Sequence, residues 1–261
     1  MAHYRAEERK KIGWYGDHRR SVNKTIKTQA NAIILGDSLA FGLSRYPSVC
    51  DLLTKQNKIV NCGSSGDCIQ HVMWKIEHFS IPASLRCVVL VCGVNNMDDD
   101  KSENIALGVM FCASRLRELH PQLHVFVAAI LPRDLHITTR RVKIQQTNEL
   151  TKSLCLCKPG ISFIEESGLW VDDCGRLNEM LYHSDYLHLI KAGNEIFAGQ
   201  LVSAISPIVG EEPKVREGMI RKRPPLVSYR HKTPPSHLPP PHPISHPLQS
   251  PPCTFSSPLP P

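Results

Sequence analysis

Cys87-Val-Val-Leu-Val-Cys-Gly-Val-Asn-Asn96 is a run of six apolar residues broken at once by a glycine and two amides. A strand that is apolar at every position, and not merely at alternate ones, has both of its faces covered. That is the condition of an interior strand in a parallel sheet with helices on either side. Val125-Phe-Val-Ala-Ala-Ile130 repeats the pattern. Between the two runs, Ile105, Val109, Cys112, Leu116 and Leu119 recur at spacings of four and three, which marks one apolar face of a helix. Working outward, Asn31–Leu35, Lys58–Cys62 and Ile161–Ile164 read as three more strands, and His124 extends the run that ends at Ile130. A closing helix from about Ala192 to Ile205 buries Ile196, Phe197, Leu201 and Ile205. Strands alternating with amphipathic helices predict an α/β domain around a central five-stranded parallel sheet. No internal repeat is evident.

The chain has 261 residues, with 31 Lys and Arg against 24 Asp and Glu, a net charge of +7. The charge is uneven. Residues 1–28 hold eight basic and three acidic side chains, residues 29–210 hold 16 and 18, and residues 211–261 hold seven and three. The middle segment is therefore slightly acidic, which argues against a folded nucleic-acid-reading surface and leaves nucleic acid as a partner of the flanks alone. Residues 211–261 also carry 15 of the 21 prolines, a composition that favours extended, unpacked chain. The expected organisation is a basic N-terminal arm over 1–28, a folded domain over 29–207, and a disordered, basic, Pro-rich tail over 208–261. The tail offers a second option for a partner, a polyproline-binding domain. No run approaches the roughly 18–20 apolar residues that span a bilayer, and the polar, charged start has no apolar stretch of a signal peptide. A cytoplasmic location is the expectation. The ten cysteines sit mostly inside apolar runs, as at Cys62, Cys87, Cys92 and Cys112, so they read as buried thiols. Cys155 and Cys157 lack the spacing of a zinc site, and neither metal nor cofactor is expected.

Ligands of open α/β sheets sit outside the carboxyl ends of the strands. There the sequence places Gly36-Asp37-Ser38-Leu39 after the first strand, Gly63-Ser64-Ser65-Gly66-Asp67 after the second, and Gly93-Val94-Asn95-Asn96 after the third. Asp185-Tyr186-Leu187-His188 precedes the last helix. A nucleophile, two glycine-bearing loops, an amide and an Asp/His pair on one sheet edge are the parts of an acyl-transfer site. Ser38 needs a base, for which His188 is the candidate, and Asp185 would orient its ring. Charge on an ester oxygen would meet the backbone N–H groups of Ser38 and Gly66 and the side-chain amide of Asn95. Leu39 and Leu187, beside nucleophile and base, are the candidates for walls of an acyl pocket. Asp37 reads as a helix cap, Asp98 to Asp100 as a solvated turn, and His71 and His78 as satisfied histidines beside Trp74 and Ile76. Arg133 is open between a substrate anion and a loop carboxylate.

These four blocks, in this order, resemble the SGNH hydrolase family, the GDSL esterases, with Ser38, Gly66, Asn95 and His188 at the four family positions and Asp185 completing its D-x-x-H pattern. Within the family the resemblance runs furthest to the intracellular platelet-activating-factor acetylhydrolase catalytic subunits. It is carried by Asn61-Cys-Gly-Ser-Ser-Gly-Asp-Cys-Ile-Gln-His-Val-Met-Trp74, Gly93-Val-Asn-Asn96, Ile130-Leu-Pro-Arg133 and Asp185-Tyr-Leu-His-Leu189, across residues 29–205. The resemblance implies a flavodoxin-like three-layer α/β/α fold, a metal-free serine esterase acting on a small acyl ester, a preference for short acyl groups, and a homodimer. Two departures bear on the substrate: Gly63-Ser64-Ser65-Gly66 replaces a more glycine-rich segment, and Ala40-Phe41-Gly42-Leu43 does not follow the acetylhydrolase pattern. A carbohydrate O-acetyl esterase is the alternative within enzymes. Outside them stands a catalytically silent scaffold acting through its tail, in the manner of esterase domains fused in retroelement proteins.

Overall fold

The computed structural model describes residues 4–210. In chain order it runs α1 (Trp14–Lys27), β1 (Ala32–Gly36), α2 (Ser38–Gly42), α3 (Pro47–Asp51), β2 (Ile59–Asn61), α4 (Ile69–Glu77), β3 (Cys87–Val91), α5 (Ser102–Leu119), β4 (His124–Ala128), α6 (Thr139–Leu156), β5 (Ile161–Ile164) and α7 (Lys191–Val209). The five strands form one parallel sheet in the order β2-β1-β3-β4-β5, the doubly wound arrangement that the alternating pattern predicts. All five expected strands are present, β5 with the expected ends and the others with ends shifted by at most two residues.

Alternation along each strand sorts the core into two layers. Ile33, Leu35, Val88, Leu90, Val125 and Val127 face α4, α5 and α6. Ala32, Ile34, Cys87, Val89, Phe126 and Ala128 face α2, α3 and α7. Both sets are buried, which is why these strands are apolar at every position. On α5, Ile105, Val109, Cys112 and Leu116 are buried as the stripe predicts, whereas Leu119, in the final turn, is exposed.

The expected N-terminal arm over 1–28 is corrected by the structure across its described part. Residues 14–27 are helical, and Trp14, His18 and Thr25 are buried, with Val22 packed against the core between them. Positions 14, 18, 22 and 25 form a helical stripe, but one written in Trp, His, Val and Thr, so apolar periodicity alone does not register it. Tyr4 and Ala6 pack against the same core. At the other end α7 continues past the expected boundary at residue 207. Pro207 has no N–H to give Ser203 O, and the Ser206 hydroxyl donates to that carbonyl at 2.9 Å instead. The expected tail over 208–261 lies, from residue 211 on, outside the described residues.

Candidate active site

β1 ends on Gly36, where a Cβ would stand 2.0 Å from Val91 O of the neighbouring strand, so no other residue fits between β1 and β3. The chain then turns directly into α2. Asp37 caps that helix, accepting the Leu39 N–H at 2.9 Å, and Ser38 is its first residue. The nucleophile candidate thus stands at the carboxyl edge of the sheet on a short helix whose start is pinned from both sides.

Asp185 and His188 lie in the turn before α7. Asp185 Oδ1 accepts the backbone N–H groups of Leu187 at 3.0 Å and His188 at 2.9 Å, which folds the turn around its own carboxylate. The turn is tied down at its edges by Tyr182, whose hydroxyl donates to Pro132 O at 2.9 Å, and by the Asp134 N–H, which donates to Tyr186 O at 3.0 Å. Within it, His188 Nδ1 is 2.6 Å from Asp185 Oδ2 and His188 Nε2 is 2.9 Å from Ser38 Oγ. An ionised carboxylate only accepts, so Nδ1 carries the proton and Nε2 is left to accept the Ser38 hydroxyl. Burial raises the Asp185 carboxyl, but the His188 ring and the two backbone N–H groups outweigh it and hold the group at about 2. Residues 150 positions apart are thereby joined in one hydrogen-bonded line.

Gly66 and Asn95 lie on the loops that follow β2 and β3, at the same carboxyl edge of the sheet as Ser38. Gly66 has φ +79°, a left-handed turn open to a residue without a Cβ, and it follows the Ser64 N–H bond to Gly36 O at 2.9 Å that anchors the loop beside β1. Asn95 Nδ2 donates one hydrogen to Asp67 O at 2.8 Å. Asn96 works from below the loop, accepting the Ile69 N–H at 3.0 Å and donating to Asp100 Oδ2 at 3.1 Å.

No protein-family model matches the chain. Platelet-activating factor acetylhydrolase IB subunit alpha1 of Rattus norvegicus is 27% identical over 180 residues, covering 69% of this chain and 77% of that protein. The alpha2 subunit of Homo sapiens is 22% identical over 209 residues, covering 79% and 90%. Among solved structures, a GDSL-like lipase from Bacteroides thetaiotaomicron superposes with a TM-score of 0.60 at 18% identity, covering 74% of this chain and 97% of that one. Relatives and fold together support the SGNH hydrolase family. The same relatives support a carboxylic ester hydrolase.

Not every SGNH candidate stands where the sequence reading puts it. Leu39 is only 4% exposed and belongs to the core layer with Leu43, Val49 and Phe197, because the first turn of α2 aims it under the sheet edge. Leu187 packs against the opposite layer and is partly buried. The two do not form one wall, and Leu187 is the one left at the surface. Arg133 resolves toward the loop carboxylate, its Nε 3.6 Å from Asp134 Oδ1. The turn Asp98 to Asp100 is not uniformly solvated: Asp98 pairs with Arg140 at 2.7 Å, and Asp100 accepts the Tyr4 hydroxyl at 2.6 Å. His71 Nδ1 accepts the Cys68 N–H, and the His78 ring stacks on Trp74, so both are structural. Burial pushes the thiols of Cys62 and Cys155 up to about 11, which leaves them protonated and unreactive. Among the described residues no group of three or more His, Cys, Asp or Glu is placed to hold a metal ion, and no helix is long and apolar enough to cross a membrane.

Sequence reasoning gave no role to Asp67 of the Gly66 loop, nor to three residues that touch it: Arg9, Trp14 and Lys75. One signal was available. Lys75 interrupts the apolar run Val72-Met-Trp-Lys-Ile76, and a lysine at such a position is either an error of phase or a buried partner of a carboxylate.

Asp37, buried next to Ser38 in the chain, has its carboxyl raised to about 7, chiefly by burial and against the lowering effect of the Leu39 N–H. The folded protein holds this proton where the unfolded chain releases it near its ordinary value of 3.8, so the contribution is complete below that value and is lost as pH rises through about 7. Asp37→Asn keeps an acceptor for Leu39 and carries no charge. Its melting temperature relative to wild type is expected to climb between about pH 4 and pH 8 and to level off above. Differential scanning calorimetry across that range checks this, and a difference independent of pH would mean that the carboxyl is not held protonated.

Proposed function

We propose that the protein is a serine ester hydrolase that removes short, acetyl-like acyl groups through Ser38, His188 and Asp185 by way of a covalent acyl-enzyme. The observation that carries this reading is the continuous line from Ser38 Oγ through His188 to Asp185, at 2.9 and 2.6 Å. Ser38 Oγ attacks the ester carbonyl as His188 Nε2 takes its proton, and Asp185 stabilises the imidazolium that results. The carbonyl oxygen gains a negative charge, met by the N–H groups of Ser38 and Gly66 and by the second hydrogen of the Asn95 amide. Collapse expels the alcohol with the proton from His188. Water then attacks the acyl-enzyme with His188 again as base, releasing the carboxylic acid and restoring Ser38. Protein groups and water supply every step.

The short-acyl preference rests on Leu187, a partly buried apolar side chain directly before the base. The test is labelling of the purified protein with a fluorophosphonate, followed by turnover of p-nitrophenyl esters of increasing chain length. Labelling with acetate hydrolysed fastest is the expected result. Leu187→Ala is expected to shift the optimum to longer chains by opening the acyl side, and an unchanged profile would remove Leu187 from that role. Acetylated sugars and acetylated glycerolipid analogues, compared in the same assay, separate carbohydrate from lipid substrates. A cytoplasmic setting accords with the buried thiols, and a homodimer follows from the resemblance to the acetylhydrolase subunits.

A further inference from the structure

Asp67 is a carboxylate without solvent exposure, and the reaction gives it no step. It nevertheless joins two of the three oxyanion donors. It directly follows Gly66 in the chain, and its carbonyl accepts the Asn95 amide at 2.8 Å. Whatever fixes Asp67 therefore fixes both donors.

Three segments converge on its side chain. From α4, Lys75 Nζ stands 2.7 Å from Asp67 Oδ2, both side chains being fully buried. Lys75 also donates to Ser64 Oγ at 2.7 Å, two residues before Gly66. From α1, the Trp14 indole N–H donates to Asp67 Oδ1 at 2.8 Å. From the segment before α1, Arg9 Nη1 lies 3.3 Å from Asp67 Oδ1 and donates to Ser65 O at 2.5 Å. The same segment reaches the Asn95 loop. The Tyr4 hydroxyl and Asn96 Nδ2 both donate to Asp100 Oδ2, at 2.6 and 3.1 Å. A buried ion pair is a poor source of stability, since desolvation offsets most of its attraction, whereas its fixed geometry is well suited to holding a loop.

We infer that Asp67 is the positioning residue of the oxyanion hole, and that Trp14, Lys75 and Arg9 set its place, which makes the N-terminal segment part of the catalytic apparatus. The inference rests on the ester-hydrolase reading and deepens it. Donors act on a developing charge only when they are held at hydrogen-bond distance from it beforehand. Trp14→Phe removes the indole N–H while keeping an aromatic ring in the core, and lets Asp67, and with it Gly66 and Asn95, drift from that position.

The test is a double-mutant cycle on the full chain with p-nitrophenyl acetate, using Trp14→Phe, Asn95→Ala and the pair. Trp14→Phe alone is expected to lower kcat by about 10-fold, Asn95→Ala by about 10²–10³-fold. In the Asn95→Ala background, Trp14→Phe is expected to cost under about 3-fold, because of the two donors that Asp67 holds only Gly66 then remains to be displaced. KM and the pH at half-maximal kcat/KM should not move with Trp14→Phe. Arg9→Gln, at a side chain a quarter exposed, gives the same readout should Trp14→Phe fail to fold. Additive losses, or a lowered melting temperature with kcat unchanged, would overturn the positioning role while leaving the esterase intact. A folded wild type that neither takes the fluorophosphonate label nor turns over ester overturns the esterase and the positioning role together.

Discussion

Ser38→Ala is expected to lower ester turnover by about 10⁴–10⁶-fold and to abolish fluorophosphonate labelling, with the melting temperature little changed. The size follows from its place in the line: the Oγ is both the atom that attacks and the group from which His188 Nε2, 2.9 Å away, draws the proton. Without it, only positioned donors remain to help water attack, and they account for a small part of the rate. The side chain lost is small and lies at the sheet edge, so folding has little at stake. Turnover by the variant within about 10-fold of wild type would place the nucleophile elsewhere, and a folded wild type that takes no label would shift attention to the scaffold reading.

The second large effect is expected at Asp185. In Asp185→Asn the amide has to choose its orientation. The backbone N–H groups of Leu187 and His188 both donate to Oδ1, so the amide oxygen stays there and the NH₂ is turned toward His188 Nδ1. Nδ1 then accepts, the ring proton moves to Nε2, and Nε2 can no longer take the proton of Ser38. The expected loss in kcat is about 10⁴-fold, with KM nearly unchanged. Asp185→Ala is expected to lose less, because the ring is then free to adopt either tautomer. Steady-state kinetics of the two variants decide it: an alanine variant slower than the asparagine one would show that the carboxylate acts through its charge and not through the tautomer it selects.

The positions of greatest catalytic interest were legible in the sequence because topology does most of the work. In a parallel sheet every strand delivers its following loop to the same edge, so Ser38, Gly66 and Asn95 were bound to share that edge once the strands were read, whereas the Asp185–His188 turn, well beyond β5, was read from its D-x-x-H pattern. The strands could be read because being covered on both faces writes itself into Cys87–Val91 and residues 125–128 as unbroken apolar runs. The core face of α5 was legible for a related reason, a stripe of five apolar residues at helical spacing, four of which are buried.

What escaped the sequence shares a different cause. The helix at Trp14–Lys27 buries His18 and Thr25 along with Trp14, and polar residues in a buried stripe cannot be told from a solvated face until a partner is seen. Leu39 follows Ser38 in the chain, yet side chains on successive helical residues point about 100° apart, so Leu39 turns into the core despite its adjacency to Ser38. The sequence by itself determined the α/β class and the sheet edge to which the candidate residues belong, since these depend on local periodicity and on strand direction. Only the tertiary structure decided that Trp14 and Lys75, 61 positions apart, meet on the carboxylate of Asp67. Such a pairing is fixed by how two helices pack, and packing depends on contacts between residues whose spacing along the chain carries no pattern.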